Sequence, residues 1–238
     1  MKRLSARARG GFTRVELAVV IAVVVLVGVM MFPALKRAQE KTWRITCLKN
    51  LKEVGTGYRL WEDDGDHRPA KASAANGGWR ELLTNSNAGQ YCWTNYAIMR
   101  NELGDSPAIV VCPADERRPA KSFTNGFDNT HVSFFVGVNA NDVYPQSIQG
   151  GDRNLGPGLV PAPDYGYSPT NGKGNDMILS TNSLVCWSLR MHSHGNAMGG
   201  GNILLGDGSG QAMSSASLRM NWLRNAGTGT NGFRLVFP

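Results

Sequence analysis

An uninterrupted run of sixteen apolar residues, from Leu17 to Phe32, constrains this chain more than any other feature of its sequence. The apolar segment from Val15 to Leu35 is 21 residues long, and about 20 residues allow a helix to cross a bilayer. Its one acidic residue is Glu16, and a carboxylate within a membrane-spanning segment costs at least roughly 2.5 to 3.5 kcal/mol. We therefore predict a membrane-spanning helix over residues 15–35 in which Glu16 has a specific partner.

Basic residues ahead of the apolar segment predict its orientation. The formal net charge of the chain is +7. Four positive charges precede Gly11, at Lys2, Arg3, Arg7 and Arg9, which leaves 7 − 4 = +3 for the rest of the chain. Basic residues before a membrane helix favour keeping that end in the cytoplasm. We expect the bulk of the chain on the far side of the membrane, and we expect no nucleic-acid partner, because most of the positive excess lies in this short segment.

A helical pattern continues beyond the apolar segment. Apolar or small residues recur three or four positions apart, at Leu35, Ala38, Thr42, Ile45, Leu48, Leu51, Val54, Tyr58 and Trp61. This spacing predicts an amphipathic helix over residues 36–63 that buries one face against a head domain. Pro33 lacks an N–H group and predicts a kink near residues 29–33. Gly65, within a run of aspartates, predicts the helix end.

We expect residues 65–238 to form a globular α+β head. Strands are expected at Ala108–Cys112, Val132–Val138, Leu184–Arg190, Asn202–Leu205, Gly210–Met213 and Phe233–Phe237, with short helices at Trp79–Thr84, Tyr91–Leu103 and Ser217–Asn225. Residues 150–174 contain many glycines and prolines and predict a long irregular loop. The simplest architecture is a long amino-terminal helix that packs against an antiparallel β-sheet.

Four cysteines are present: Cys47, Cys92, Cys112 and Cys186. Outside the cytoplasm disulfides persist, and four cysteines allow three pairings, among which the sequence does not choose. The candidate pair is Cys47 with Cys112, and buried free thiols are the alternative. The cysteines lack close spacing of the Cys-x-x-Cys kind, so a thiolate metal site is not predicted.

The amino-terminal segment resembles the start of type IV pilins and type II secretion pseudopilins. The similarity lies in the short basic leader, the pair Gly11-Phe12, a glutamate fifth from Phe12, and Pro33 at the twenty-second position of that count. Farther on, several short runs resemble large pseudopilin-like families of planctomycete and verrucomicrobial type: Cys47-Leu48-Lys49-Asn50-Leu51-Lys52, Cys112-Pro113-Ala114-Asp115, Ser133-Phe134-Phe135-Val136-Gly137 and Gly151-Asp152-Arg153-Asn154.

This resemblance implies a structural protein and not an enzyme. Residues 1–11 are then a leader, residues 12–64 the helix and residues 65–238 the head. A prepilin peptidase cuts between Gly11 and Phe12 and methylates the new amino group of Phe12, which pairs with Glu16 of a neighbouring subunit during assembly. The implied partners are the peptidase, other pilin or pseudopilin subunits, an inner-membrane assembly platform and the lipid bilayer. The implied location is the inner membrane, single-pass with a periplasmic head, and then a filament.

Other interpretations remain open. A secretory signal peptide or a plain single-pass anchor would explain the apolar segment, and a membrane-anchored periplasmic enzyme or glycan-binding domain would not polymerise. His192, His194 and Asp207, with Asp152 nearby, are the imagined metal ligands of such an enzyme. Structural calcium in the head is an alternative with oxygen ligands at Asp142, Asp152, Asp164 and Asp207. No cofactor, metal or catalytic residue is predicted.

Overall fold

The computed structural model describes residues 11, 13–65, 67–140, 143–180, 182–193, 199–222 and 232–238. The chain divides into two compact units, Met1–Lys41 and Thr42–Pro238. A single long helix, α1, spans Arg14–Asp64 and contains Pro33. In the first unit its large apolar side chains are exposed on every side, because no other element of that unit covers them in the described part of the chain.

The second unit contains an antiparallel β-sheet. Its eight described strands are β1 (Phe134–Gly137), β2 (Ile148–Asp152), β3 (Leu155–Pro157), β4 (Asn175–Leu179), β5 (Val185–Trp187), β6 (Gly200–Leu205), β7 (Gly210–Ser214) and β8 (Phe233–Phe237). Six of them form one sheet in the order β4-β8-β1-β2-β6-β7, and β3 pairs with β5 in a separate ribbon. The strand pairs are all antiparallel.

Short helical segments lie mostly between α1 and β1, and a few connect later strands. The α-helical ones are α2 (Thr94–Ile98) and α3 (Ser215–Ser217), the latter followed by a π-helical turn at Leu218–Trp222. The 3₁₀ turns are Ala74–Asn76, Arg80–Thr84, Ala88–Tyr91, Pro107–Val110, Asn129–His131 and Met191–Ser193. Most of the chain between α1 and β1 is therefore a series of tight turns and loops instead of long regular elements.

The inner strands β8, β1, β2 and β6 are almost fully buried on both faces, and side-chain alternation separates two apolar cores. Phe134 and Val136 of β1 point to the core that also contains the buried face of α1, whereas Phe135 between them belongs to the opposite core. The same alternation holds in β6, where Leu204 joins the α1 side. Successive strand residues face opposite sides of a sheet. Alternate residues of these strands therefore join either the core that contains α1 or the core that contains β3 and β5.

The second half of α1 packs directly on this sheet. Its buried apolar residues are Cys47, Leu51, Val54 and Tyr58. Gly55 lies close to β6 and the turn that follows it, since an added Cβ would be 2.9 Å from Leu204 Cδ1 and 3.3 Å from the carbonyl oxygen of Gly208. A side chain at this position would have to displace the Leu204 side chain or the helix.

The predicted fold class is confirmed: a long amino-terminal helix packs on a carboxy-terminal antiparallel sheet. The strand predicted at Ala108–Cys112 is wrong, because Pro107 starts a 3₁₀ turn there that ends at Val110. The irregular loop predicted for residues 150–174 is partly wrong, since it includes the end of β2 and all of β3. Glycine and proline there permit close strand packing that a turn-based prediction does not anticipate.

Candidate functional site

Glu16 closes the first turn of α1. Its carboxylate oxygen Oε2 accepts hydrogen bonds from both the backbone N–H and the hydroxyl of Thr13, each at 2.8 Å. In return the backbone N–H of Glu16 donates to Thr13 Oγ1 at 3.2 Å. This reciprocal pattern is a capping box, in which residues three apart satisfy backbone donors that a helix start leaves unpaired. The pattern Thr-x-x-Glu was readable in the sequence and was missed.

The residues predicted for cleavage and methylation, Gly11 and Phe12, precede this cap in the sequence. Gly11 is exposed, and the predicted first mature residue, Phe12, lies outside the described residues. The helix that follows is the one described element long and apolar enough to cross a membrane. The apolar segment and Glu16 therefore lie together at the beginning of one continuous helix.

A second site lies inside the head, where four residues from distant parts of the sequence meet. Cys47 is on α1, Cys112 follows the 3₁₀ turn Pro107–Val110, Asp152 ends β2, and His192 is in the turn Met191–Ser193. One potential ligand atom from each residue lies within 4.8 Å of all the others. We call these four residues the Cys–Asp–His cluster. It is the one such group of three or more His, Cys, Asp or Glu side chains among the residues the structure describes.

Direct contacts join the members of the cluster. The thiol of Cys47 donates to Asp152 Oδ1 at 3.0 Å, and Cys112 Sγ lies 3.2 Å from His192 Nε2. The same Nε2 atom is 3.6 Å from Asp152 Oδ2. The side chains of His192 and Asp152 are only 1% and 0% exposed, and both thiols are fully buried. Sulfur, nitrogen and oxygen atoms thus face one shared, water-excluded point.

Burial sets the protonation of this cluster. Removal from water raises the pKa of Asp152 to about 7 and lowers the pKa of His192 to about 4. Burial also raises the pKa of both thiols above the ordinary cysteine value. Each shift disfavours the charged form of its group, because a low-dielectric interior penalises unpaired charge. Around pH 7 the thiols are therefore protonated and the imidazole is neutral, whereas Asp152 is partly ionised.

The cluster does not have the geometry of a cysteine nucleophile with its base. In such a triad the acid holds one ring nitrogen while the other faces the thiol, but here Asp152 and Cys112 both approach His192 Nε2. A reactive thiol also needs a lowered pKa and access to solvent. Burial raises the pKa of Cys112 instead.

An ion pair next to the cluster links two of the sequence motifs. Arg153 Nε and Nη2 donate to the two carboxylate oxygens of Asp115 at 2.7 and 2.8 Å, and both side chains are at most 1% exposed. The ring of Tyr165 stacks on the guanidinium at 3.4 Å. Burial opposes ionisation of Asp115, but the Arg153 hydrogen bonds and charge outweigh it and lower the pKa of this carboxyl.

These contacts explain two runs in the sequence whose chemistry was unassigned. The run at residues 112–115 contributes Cys112 to the cluster and Asp115 to the ion pair. The run at residues 151–154 contributes Asp152 to the cluster and Arg153 to the ion pair. The short runs were visible in the sequence, but their meeting was not predicted.

The candidate disulfide pair is brought together but not bonded. Cys47 and Cys112 have their sulfur atoms within 4.8 Å of each other, and both are free thiols in this structure. Cys92 and Cys186 are also free and buried. The structure thus has the alternative arrangement, buried free thiols, with the predicted partners as neighbours.

The other residues considered as metal or calcium ligands do not lie in the cluster. Asp207 accepts from the N–H of Ser209 at 2.8 Å within the β6–β7 turn, and Asp164 accepts from Gly166 at 2.9 Å within another turn. His194 and Asp142 lie outside the described residues. Of the residues considered for metal or calcium, the described structure therefore brings only Asp152 and His192 into the cluster.

Comparison with known proteins adds no assignment: no family model matches the chain, and neither does any curated protein or solved structure.

Proposed function

We propose that this protein is a prepilin-like structural subunit of a type II secretion pseudopilus or type IV pilus. The observation that carries the proposal is the first half of α1, an exposed all-apolar helix that has a glutamate in its first turn. Phe32 is 65% exposed and Val25 58%, so this surface needs a cover. A bilayer covers it before assembly, and the apolar helices of neighbouring subunits cover it in a filament core.

Glu16 gives the assembly its register in this proposal. After cleavage between Gly11 and Phe12, the new amino group of Phe12 carries a positive charge within apolar surroundings. Pairing with Glu16 of a neighbouring subunit neutralises both charges, whereas a carboxylate or ammonium group left alone there is strongly destabilised. The hydrogen bonds that Glu16 Oε2 accepts from Thr13 do not prevent this pairing, because a carboxylate has about four acceptor positions.

The capping box makes the test sharper. Glu16→Ala removes both the charge and the two hydrogen bonds that the carboxylate accepts from Thr13, but it keeps the bond from the backbone N–H of residue 16 to Thr13 Oγ1. Glu16→Gln is the matched control, since glutamine at this position of a capping box still reaches back to the backbone but carries no charge. We expect both variants to be processed and membrane-bound, and neither to assemble.

Two measurements decide the proposal. Mass spectrometry of the purified protein should find a chain that begins at methylated Phe12, and sheared cell-surface or periplasmic fractions should contain polymer only for the wild type. An intact leader would leave the membrane-anchored, non-polymerising interpretation. Normal polymer from Glu16→Gln would refute the charge-pairing mechanism, and polymer from Glu16→Gln with none from Glu16→Ala would assign Glu16 to helix capping alone.

A further inference from the structure

We propose that Cys47, Cys112, Asp152 and His192 bind one divalent zinc ion as a closed, structural site inside the head. Zinc in proteins is held by cysteine sulfur, histidine nitrogen and carboxylate oxygen, and structural sites use four protein ligands in a tetrahedron. The Cys–Asp–His cluster offers four ligands of these three kinds. This inference is independent of the proposed assembly function, since it concerns only residues of the second unit.

The distances fit a tetrahedral ion after small movements. With zinc–sulfur bonds of about 2.3 Å and zinc–nitrogen or zinc–oxygen bonds of about 2.0–2.2 Å, neighbouring ligand atoms lie roughly 3.3–3.8 Å apart. The measured separations are 3.0 Å for Cys47 Sγ to Asp152 Oδ1, 3.2 Å for Cys112 Sγ to His192 Nε2, and 3.6 Å for His192 Nε2 to Asp152 Oδ2. The separation between Cys112 and His192 is within about 0.4 Å of the required value. Asp152 approaches Cys47 and His192 through different oxygens, so a bond through one oxygen requires its carboxylate to turn. One ligand atom from each of the four residues already lies within 4.8 Å of all the others.

Neighbouring groups orient and balance the ligands. Asp152 Oδ2 accepts from the backbone N–H of Asn202 at 2.7 Å, and Cys112 Sγ accepts from that of Ala114 at 3.4 Å. Two thiolates, one carboxylate and one zinc ion sum to −1, and the nearby guanidinium of Arg44, whose positive charge acts on Asp152, offsets that charge. Arg44 donates to the carbonyl oxygens of Gly201 and Met213 at 3.4 and 3.5 Å. Its Nε is buried with no hydrogen-bond partner in the described structure.

Zinc binding would replace the polar contacts within the cluster by four bonds to one ion. Without metal, the four buried side chains are joined by the Cys47–Asp152 hydrogen bond and by the contacts of His192 with Cys112 and Asp152. Zinc binding displaces the protons of both thiols, and the proton of Asp152 where it is present, to solvent, and bonds form to all four ligands. The ion then links α1, the loop after the turn Pro107–Val110, β2 and the turn Met191–Ser193.

A disulfide between Cys47 and Cys112 is the rival arrangement. It would remove the thiol hydrogen that Cys47 donates to Asp152 Oδ1 and would leave the buried carboxylate with fewer donors. It would also leave His192 Nε2 without its contact to a thiol. Zinc would bind all four buried side chains, whereas a disulfide would join the two cysteines and leave Asp152 and His192 without their thiol partners.

The test uses the full-length protein in detergent, with Zn²⁺ and Co²⁺ as the probe metals. Elemental analysis after loading with Zn²⁺ under reducing conditions should find one zinc per chain. Loading with Co²⁺ should give the thiolate charge-transfer absorption and the intense visible bands of tetrahedral cobalt. Cys47→Ser and His192→Asn should lose both signals, whereas the matched control Cys186→Ser, which changes a cysteine outside the cluster, should keep them.

The wild type alone also decides the question, in case a cluster variant does not fold. Protein isolated from the native compartment and alkylated under denaturing conditions with a chelator should show four free thiols. A Cys47–Cys112 cross-linked peptide, absence of stoichiometric zinc after reductive loading, or retention of the cobalt spectrum by folded Cys47→Ser would each overturn the proposal.

Discussion

Replacing Asp115 by asparagine should destabilise the head strongly, because it leaves the guanidinium of Arg153 buried without its bidentate carboxylate partner. The pair is bidentate, with contacts of 2.7 and 2.8 Å, and both side chains are nearly inaccessible. Breaking one partner of a buried pair costs roughly 3–5 kcal/mol, since the remaining charge has lost its compensation.

The expected value lies near the lower end of that range. Arg153 keeps its stacking on Tyr165 and a 3.4 Å hydrogen bond to Ser168 Oγ, and asparagine retains one acceptor oxygen. We therefore expect a loss of about 3 kcal/mol, a substantial share of the roughly 5–15 kcal/mol by which folded proteins are stable. For a domain of this size, that loss lowers the unfolding midpoint by roughly 6–12 °C.

The assay is urea unfolding of the full-length protein in detergent, followed by the fluorescence of the buried tryptophans Trp79 and Trp187. Glu116→Gln is the matched control, because Glu116 Oε1 is 3.7 Å from the same guanidinium but its side chain is 55% exposed. Exposed pairs contribute about 0–1 kcal/mol, so the control should stay within that range.

A double variant separates charge from packing. Asp115→Leu combined with Arg153→Met replaces the buried pair by apolar groups, and such replacements are often neutral or stabilising. The double variant should be more stable than Asp115→Asn. Equal losses of stability in Asp115→Asn and Glu116→Gln would show that the ion pair is not buried as described.

Two further changes test the packing on which both sites depend. Leu51→Ala, on the buried face of α1, should cost about 2–5 kcal/mol in the same urea assay, whereas Ile45→Ala, which removes a side chain 60% exposed, should have almost no effect; equal losses would contradict the assigned helix face. Gly201→Ala places a Cβ 2.5 Å from the ring of Trp187 and should cost roughly 1–3 kcal/mol by overpacking. Gly65→Ala, where the nearest atom is 3.7 Å away, is its control, and a Gly201→Ala protein as stable as this control would show that the strand and ring are not in contact.

Local patterns in the sequence predicted the helix and several strands well. The three- and four-residue spacing from Leu35 to Trp61 predicted α1 to within one residue of its observed end at Asp64. The strand Phe233–Phe237 was predicted with its observed bounds. Both patterns depend on the period of side-chain direction along one element, which neighbouring residues alone establish.

Turn-rich segments were predicted less well. Residues 148–157 contain glycines at positions 150, 151 and 156, yet they form two strands. An added Cβ at Gly151 would lie 2.8 Å from the ring of Phe135 and from the carbonyl oxygen of Asn202. At these positions, aromatic rings and neighbouring backbone approach the strand too closely for a side chain. The need for glycine there depends on the partners across the sheet and not on the strand's own residues.

The amino-acid sequence by itself determined the long apolar helix, the position of its glutamate and the α+β class, because each follows from residues close together in the chain. Only the tertiary structure decided that Cys47 meets Asp152 across 105 positions and that Cys112 meets His192 across 80. Such meetings depend on the order of strands in the sheet and on the paths of the connecting loops. No local periodicity encodes those paths, so the four buried ligands were individually visible in the sequence but became a site only in the folded head.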